Sequence, residues 1–483
     1  MDHSLFRNSL YNSIYKTISL LFPLIVSTYV SHRLKANGIG LIASAQNVVQ
    51  YFVILASLGI PNYGIREIAK NNGDQNKRNM VFSELFILNL ISSLVCIVVY
   101  YGLINFSNVS NGEIVLYSIV GLTLVLNIFN VDWVYQGIEE YRYIAIRSIV
   151  VKLLSIVLIL LFIKSEENYK EYALISIIAT AGNNIVNVIY LKRSGIKFEK
   201  KGLNIQRHLK AVGILFFTAV SIELYTLLDT TMIKHFCLPE NVGFYSNSMK
   251  IVKMLITAIT AIGGVLLPRL SNYIQSNKIV ECEGIIHKIM DLLCFMFFPC
   301  VFFLVFGADL IIPSLFGESF FPAILTLRIS SFLILALGFS NLFGTQILLA
   351  FNGEKRLMQC TITGAIINIF LNLLLIPRYN QNGAAVASVI SELIVTIMSY
   401  IYVTKHIRVR ISISNIITSF VGGMIIGIII ILSKRYIHNT IIALLMSGLF
   451  GFSLYIIIEY LFKNPALKMI TEMLKRRDSK GEY

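Results

Sequence analysis

Two lysines, Lys250 and Lys253, stand inside a long apolar segment of the chain between residues 242 and 266. Residues three apart lie on the same face of an α-helix. With a rise of about 1.5 Å per residue, the two ammonium groups lie ~13 Å and ~18 Å from one end of the segment. A pair of ammonium groups that faces a cavity suits phosphate or another anion, since lysine offers a point charge without fixed geometry. The spacing therefore predicts an anion-binding face.

Three carboxylates in other apolar segments bear on this prediction. Glu223 lies near the middle of segment 209–232, at a depth similar to that of the lysines, and Asp229 lies nearer its end. Glu223 has two readings: a salt-bridge partner that neutralises one lysine and leaves a positive surplus, or a protonatable coupling site. Glu392 lies near the middle of segment 384–403 and is a candidate for coupling, gating or a hydrogen bond to a neighbouring helix.

The chain carries no pattern typical of an enzyme or a metal protein. It lacks the G-x-x-x-x-G-K-[ST] phosphate loop and the H-E-x-x-H zinc motif. Its six cysteines form no close pair, and its seven histidines are scattered. We therefore expect no catalytic group, no metal and no cofactor.

The composition indicates what kind of element must position these side chains. Of the 483 residues, 56% are hydrophobic and 14% charged, and the mean hydropathy is +0.73. Soluble domains carry roughly 25% charged residues, so this chain is predicted to be an all-α polytopic membrane protein. Its net charge of +15 fits basic cytoplasmic loops better than a nucleic-acid partner.

A helix that spans a bilayer needs about 20 mostly apolar residues, and the chain has fourteen such segments. Most Lys and Arg residues fall on the inner side when the N-terminus is cytoplasmic, which predicts that both termini are cytoplasmic. Lys152 and Arg328 are expected near segment ends, where their side chains reach the interface. The segments are 13–32, 39–60, 81–104, 113–136, 148–164, 171–190, 209–232, 242–266, 289–306, 323–349, 359–377, 384–403, 413–432 and 440–462.

Two local matches indicate an internal repeat. Residues 40–50 resemble residues 243–253, and the segment around Gly137 resembles the segment around Gly353. Both matches join a segment to the sixth one after it, which is typical of parallel repeats and of alternating access. We predict an N-terminal lobe in 1–205, a C-terminal lobe in 206–410, and two further helices with a basic tail in 411–483. The repeat also places Asn47 and Gln50 at the positions equivalent to Lys250 and Lys253.

Three short segments resemble Wzx-type polysaccharide flippases, in an order and spacing that match over nearly the whole chain. They are Asp132-Trp133-Val134-Tyr135-Gln136-Gly137-Ile138-Glu139 with Tyr143-Ile144, Leu228-Asp229 with Val242-Gly243-Phe244-Tyr245-Ser246, and Asn372 to Pro377 with Gly383 to Ser388. The resemblance implies a MATE-like fold of two six-helix lobes plus two C-terminal helices.

The resemblance also implies a function: translocation of an undecaprenyl-diphosphate-linked oligosaccharide repeat unit to the outer leaflet of a bacterial cytoplasmic (inner) membrane. For such a substrate, Lys250 and Lys253 would bind the diphosphate. Asn47, Gln50, Tyr245 and Asn247 offer hydroxyl and amide partners for the sugars. A polysaccharide polymerase and chain-length machinery are the implied protein partners, beside the lipid bilayer and without nucleic acid.

Three alternatives stay open at this stage. A drug or cation exporter of the same superfamily should expose carboxylates, whereas the surplus here is positive. A peptidoglycan-precursor flippase handles the same diphosphate-lipid head, although more arginine would be expected in the first two segments. A polysaccharide polymerase would need a sizeable outer loop with arginine or acidic residues, and the outer loops here are short and poor in charge.

Overall fold

A computed structural model describes residues 3–71, 73–106, 110–191, 193–260, 263–410 and 412–478. Within helices, the side chains of 3–10, 12–14, 214–215, 217–226, 263–265 and 472–478 lie outside the description. The described residues form helices and no β-strand.

Long helices dominate the chain, and we number them α1 to α14. They are α1 (3–34), α2 (36–57), α3 (Gln75–Phe106), α4 (Asn111–Asn127), α5 (Tyr141–Phe162), α6 (Tyr169–Leu191), α7 (Gln206–Phe236), α8 (Pro239–Thr260), α9 (Ile279–Phe316), α10 (Ala323–Ser330, continued by Leu333–Ser340 and the π-helix Asn341–Leu348), α11 (354–379), α12 (381–403), α13 (Ile413–Tyr436) and α14 (Thr440–Leu461). Shorter helices span Ile60–Lys70, Asp132–Gly137, Gly263–Gln275 and Pro465–Asp478.

These fourteen helices agree with the number predicted from the sequence. Ten continuous helical segments of the described chain are long and apolar enough to cross a membrane. Two of these segments each contain two of the fourteen long helices, because the backbone breaks at Lys35 and at Asn380, where φ is 53° and 51°. Helices α7 and α8 carry more polar and charged side chains and complete the set. The predicted all-α polytopic fold is confirmed.

The two breaks differ from the short loops that the sequence suggests at 33–38 and 378–383. In each case helix continues on both sides of one residue with positive φ, Lys35 or Asn380. The tenth segment, which its length marks as tilted or kinked, is divided at Ser331–Phe332 and then continues as a π-helix. The basic tail forms the helix Pro465–Asp478.

The chain divides into two compact units, Met1–Gly243 and Phe244–Tyr483. One core of the first unit gathers around Ile68, Trp133 and Tyr135. One core of the second unit includes Leu310, Ile430 and Tyr455. The three-part division at 205 and 410 stays a prediction.

Large apolar side chains remain exposed along the long helices, as Val98 (72%), Ile189 (70%) and Leu445 (66%) illustrate. In water such a surface would be unfavourable, whereas lipid chains solvate it without cost. The chain is therefore a multi-pass membrane protein.

Candidate functional site

Helix α8 presents two different faces, and this difference separates the predicted site residues. Phe244, Tyr245 and Val252 lie on its buried face. Ser248, on the same side, donates a hydrogen bond to the Ala323 carbonyl oxygen at 3.2 Å. Packing thus fixes the rotation of α8 within the second unit and leaves the opposite face more accessible.

Lys250 and Lys253 occupy that opposite face, as their spacing predicts. Lys250 is half-buried and donates a hydrogen bond from Nζ to Asn247 Oδ1 at 2.9 Å. Lys253 is exposed. No ion pair found among the described side chains involves either ammonium group. The two side chains therefore form a cationic face, with one amide oxygen that orients Lys250.

The polar residues predicted beside the lysines have different surroundings. Asn247 is fully buried and serves as the partner of Lys250. Tyr245 is also buried, and its hydroxyl lies 3.4 Å from Ser388 Oγ. The hydroxyl of Tyr245 therefore contributes to packing within the second unit, away from the lysine face.

Asn47 and Gln50 also lie on different sides of their helix, α2. The amide nitrogen of Asn47 donates to Thr231 Oγ1 at 2.8 Å and to the Leu227 carbonyl oxygen at 3.2 Å, and both acceptors belong to α7. Asn47 thus joins two helices of the first unit. Gln50, like its repeat equivalent Lys253, is exposed.

The three predicted coupling carboxylates stay predictions. Asp229 on α7 and Glu392 on α12 are both buried. Glu223 falls on α7, where its side chain lies outside the described residues. The salt bridge between Glu223 and one of the α8 lysines is therefore an untested alternative.

The position of Lys152 within its helix differs from the sequence prediction. We expected it near the end of a segment that starts at 148, but helix α5 spans Tyr141–Phe162 and places Lys152 in its middle. The expectation is wrong because the charged residue Arg147 seemed to mark the interface. The Arg147 charge is instead paired with Asp132 inside the first unit, and the helix begins before Arg147, at Tyr141.

Arg147 and Asp132 form this neutralising pair. The guanidinium donates from Nη1 and Nη2 to the two carboxylate oxygens at 2.9 and 3.2 Å, and Asn187 Nδ2 donates to Oδ1. Arg147 is 5% exposed. A bidentate pair of this kind is favourable when buried because both oxygens are satisfied.

The segment Asp132–Glu139, which carries much of the sequence resemblance, is a packing centre of the first unit. The Trp133 indole donates to the Asn130 carbonyl oxygen at 3.2 Å and covers Gly64 so closely that no side chain fits there. The Tyr135 hydroxyl donates to the Asn187 carbonyl oxygen at 2.6 Å. These contacts show that Trp133 and Tyr135 stabilise the packing of the first unit.

A second buried ion cluster of this unit connects α3 with the start of α7. Glu84 is fully buried and accepts hydrogen bonds from the Asn204 backbone (2.6 Å) and Arg207 Nε (3.0 Å), and it lies 2.7 Å from His208 Nε2. The other ring nitrogen of His208 lies 2.8 Å from the Tyr63 hydroxyl. The sequence gives no sign of this pairing because more than a hundred residues separate Glu84 from its partners.

The chain is similar in sequence to proteins of polysaccharide export and biosynthesis. A putative O-antigen transporter of Escherichia coli (strain K12) is 22% identical over 83% of this chain and 97% of its own length. The capsular polysaccharide biosynthesis protein CapF of Staphylococcus aureus is 25% identical over 71% of this chain and 86% of its own length.

Among solved structures, the lipid II flippase MurJ in an inward closed conformation has a TM-score of 0.74 at 15% identity, over 94% of this chain and 98% of that one. An inward-facing multidrug resistance MATE family transporter has a TM-score of 0.61 at 14% identity, over 82% and 97%. These likenesses confirm the MATE-like fold, and the resemblance to polysaccharide flippases is confirmed at the level of the family. A family model described as "Polysaccharide biosynthesis protein" matches residues 5–274, more than half of the chain, which therefore belongs to that family.

Proposed function

We propose that this chain is a flippase for undecaprenyl-diphosphate-linked oligosaccharide repeat units. In this proposal it moves them from the cytoplasmic to the outer leaflet of a bacterial inner membrane by alternating access, with both termini in the cytoplasm. Family membership and the membrane fold support a role in exporting a polysaccharide precursor. The observation that carries the proposal is the cationic face of α8, formed by Lys250 and Lys253.

The chemistry of this face suits a diphosphate. Each ammonium group can donate up to three hydrogen bonds, and a diphosphate offers several charged oxygen acceptors. A charge-assisted hydrogen bond contributes about 1.5–3 kcal/mol, so two lysines add substantially to the affinity for the lipid head. A cationic drug would instead be repelled by two ammonium groups. This argues against the drug-exporter alternative.

The rest of the substrate is an oligosaccharide, whose hydroxyl groups need hydrogen-bond partners. Exposed Gln50 is available for such contacts, whereas the Asn47 amide, Tyr245 and Asn247 are engaged in bonds inside the units. Glu223, Asp229 and Glu392 remain candidates for ion coupling. A polymerase and chain-length machinery that receive the glycan at the outer leaflet remain proposed partners.

Reconstitution in liposomes tests the proposal. The purified protein would be reconstituted with a fluorescent undecaprenyl-diphosphate carrying the glycan of its own host, and an impermeant quencher would report the label that changes leaflet. We expect protein-dependent flipping that falls about 100-fold in Lys250→Ala/Lys253→Ala, since each lost charge-assisted bond removes at least about tenfold.

The matched control is Lys200→Ala/Lys201→Ala, which removes the same charge from an exposed loop. This variant should flip the lipid at the wild-type rate. If the α8 variant folds and flips normally, the flippase stands and the site is wrong. If the wild type does not flip the lipid with or without an ion gradient, the function itself is wrong.

A peptidoglycan-precursor flippase is the remaining alternative, because its substrate has the same diphosphate-lipid head. The same liposomes separate the two substrates by their glycans. Faster flipping of the peptidoglycan precursor than of the host polysaccharide unit would favour that alternative.

A further inference from the structure

A polar cavity of about 190 Å³ lies inside the first unit. Seven of its nine lining residues are polar and uncharged, one of them aromatic, and the other two are Asp132 and Ala181. Lining residues include Tyr15, Thr123, Asn127, Asn130, Asn183 and Asn184. Asn127, Asn183 and Asn184 are each more than nine-tenths buried, and Thr180 at the same cavity is exposed and marks its opening.

The Asn183 side chain shows that the cavity has an unused binding group. Its Oδ1 atom is buried and has no hydrogen-bond partner among the described residues. A buried acceptor without a partner costs about 1–3 kcal/mol, so such a group is retained where something else satisfies it. A donor that enters the cavity would supply the missing hydrogen bond.

Two neighbouring asparagine side chains, Asn184 and Asn127, also donate their amide nitrogens to the protein. Asn184 donates from Nδ2 to the Leu126 carbonyl oxygen at 3.0 Å, and Asn127 donates from Nδ2 to Ser57 Oγ at 3.4 Å. Each bond fixes the amide through its nitrogen and leaves the amide oxygen available to a donor. The cavity is therefore rich in acceptors held by its own walls.

The charge balance of the cavity favours a neutral ligand over a cation. Asp132 is the one acidic lining residue, and its carboxylate is neutralised by the bidentate contact with Arg147. The volume also exceeds what a bare ion needs, since a water molecule has a share of only ~30 Å³ in the liquid. It is smaller than the roughly 300 Å³ at the lower end of drug-sized pockets.

We infer that this cavity binds one neutral, hydroxyl-rich ring, a single sugar of the transported glycan, through the amide oxygens of Asn127, Asn183 and Asn184. A sugar hydroxyl is a donor, which an acceptor-rich wall requires, and the Tyr15 ring offers an apolar surface for a sugar face. This inference rests on the proposed function, because the glycan is the source of the sugar. It assigns sugar recognition to residues other than the diphosphate lysines.

The only tryptophan of the chain, Trp133, makes the inference directly testable. Its indole donates to the backbone carbonyl of Asn130, a lining residue, so a ligand in the cavity should change its emission. The detergent-solubilised full chain would be titrated with each monosaccharide released by hydrolysis of the host's own surface polysaccharide. Sodium chloride would be titrated in parallel against choline chloride.

We expect a saturable change with at least one monosaccharide, at a Kd on the order of 1 mM, as befits one small ring. Asn183→Leu should weaken the Kd about tenfold, since it removes one acceptor of similar size. Asn415→Leu, at a buried asparagine of the second unit that also has an unpartnered amide atom, is the matched control and should bind as the wild type does. If Asn183→Leu fails to fold, Thr180→Val at the exposed rim replaces it.

Two outcomes would overturn the inference: no monosaccharide changes the emission, or sodium alone does. Because the titration needs no transport, its result separates this inference from the proposed function. Flipping of the lipid-linked glycan without monosaccharide binding would discard the sugar site and keep the flippase. Binding without flipping of any lipid would discard the flippase and keep a sugar-binding cavity.

Discussion

Gly40 and Gly243 pack backbone against backbone where α2 and α8 begin. A Cβ atom on Gly40 would overlap the Pro239 carbonyl, and a Cβ atom on Gly243 would overlap the Ala36 carbonyl oxygen. Gly40 of α2 thus contacts the first residue of α8, and Gly243 of α8 contacts the first residue of α2. The internal repeat predicted from the sequence places the two glycines at equivalent positions.

The first prediction concerns this contact. Gly40→Ala should lower the thermal unfolding midpoint of the purified protein, since the helices would have to separate and overpacking costs about 1–3 kcal/mol or more. Gly102→Ala is the control, because nothing lies within 4 Å of a Cβ atom there and alanine favours helix. Equal midpoints for Gly40→Ala and the wild type would show that the two backbones do not touch.

The sequence could draw attention to Gly40 and Gly243, because the predicted repeat aligns them and a close backbone contact demands glycine at both positions. Spacing of three also sufficed to place Lys250 and Lys253 on one face, since helical periodicity is a local property. The sequence could not show that Asn47 bonds to α7 or that Tyr245 faces Ser388. Those contacts depend on how the helices rotate against one another, which no local pattern records.

The second prediction concerns the Arg147–Asp132 pair. Arg147→Lys should destabilise the protein by about 2 kcal/mol, because lysine cannot make the bidentate contact or reproduce the guanidinium carbon 5.3 Å from the centre of the Tyr143 ring. Arg147→Met should cost more, about 3–5 kcal/mol, since it leaves a carboxylate unpaired. Thermal unfolding followed by Trp133 emission measures both. Equal losses for the two variants would contradict the bidentate interpretation.

The third prediction concerns the buried Glu84. Glu84→Gln should cost about 2–4 kcal/mol, because a neutral amide replaces an acceptor for the Asn204 backbone, Arg207 and His208. Half-buried Glu67→Gln, whose carboxylate bonds to the exposed Lys70, should change stability by less than about 1 kcal/mol. A double-mutant cycle with Arg207→Gln would report the coupling, and a coupling near zero would mean that the pair does not stabilise the first unit.

The pairing of these charged residues could not be predicted from the sequence, for one physical reason. A charge in an apolar segment looks isolated until its partner is known, and Glu84 meets Arg207 only after the chain has folded. For the same reason the predicted segment begins at 148, after the charged Arg147, whereas helix α5 begins at Tyr141. Arg147 pairs with Asp132 inside the first unit, and helix α5 extends past it to Tyr141. Lys152 therefore lies in the middle of the helix and not near its end.

The last prediction concerns Lys152, in the middle of α5. Its ammonium donates to Ser19 Oγ at 2.8 Å and lies 5.8 Å and 5.4 Å from the centres of the Tyr15 and Phe22 rings. No ion pair among the described side chains includes it. Because these partners are neutral, Lys152→Met should stabilise the protein by about 1 kcal/mol in thermal unfolding, as replacing a poorly paired, half-buried charge does.

The same substitution at Lys434 provides the contrast. Lys434 bonds to Asp309 Oδ2 at 2.6 Å, so Lys434→Met should lower the unfolding midpoint where Lys152→Met raises it. We also expect Lys152→Met to slow flipping in liposomes, since a costly intramembrane charge is retained for function. A lower midpoint with unchanged flipping would instead make Lys152 a structural residue, whose bond to Ser19 outweighs the cost of burying its charge.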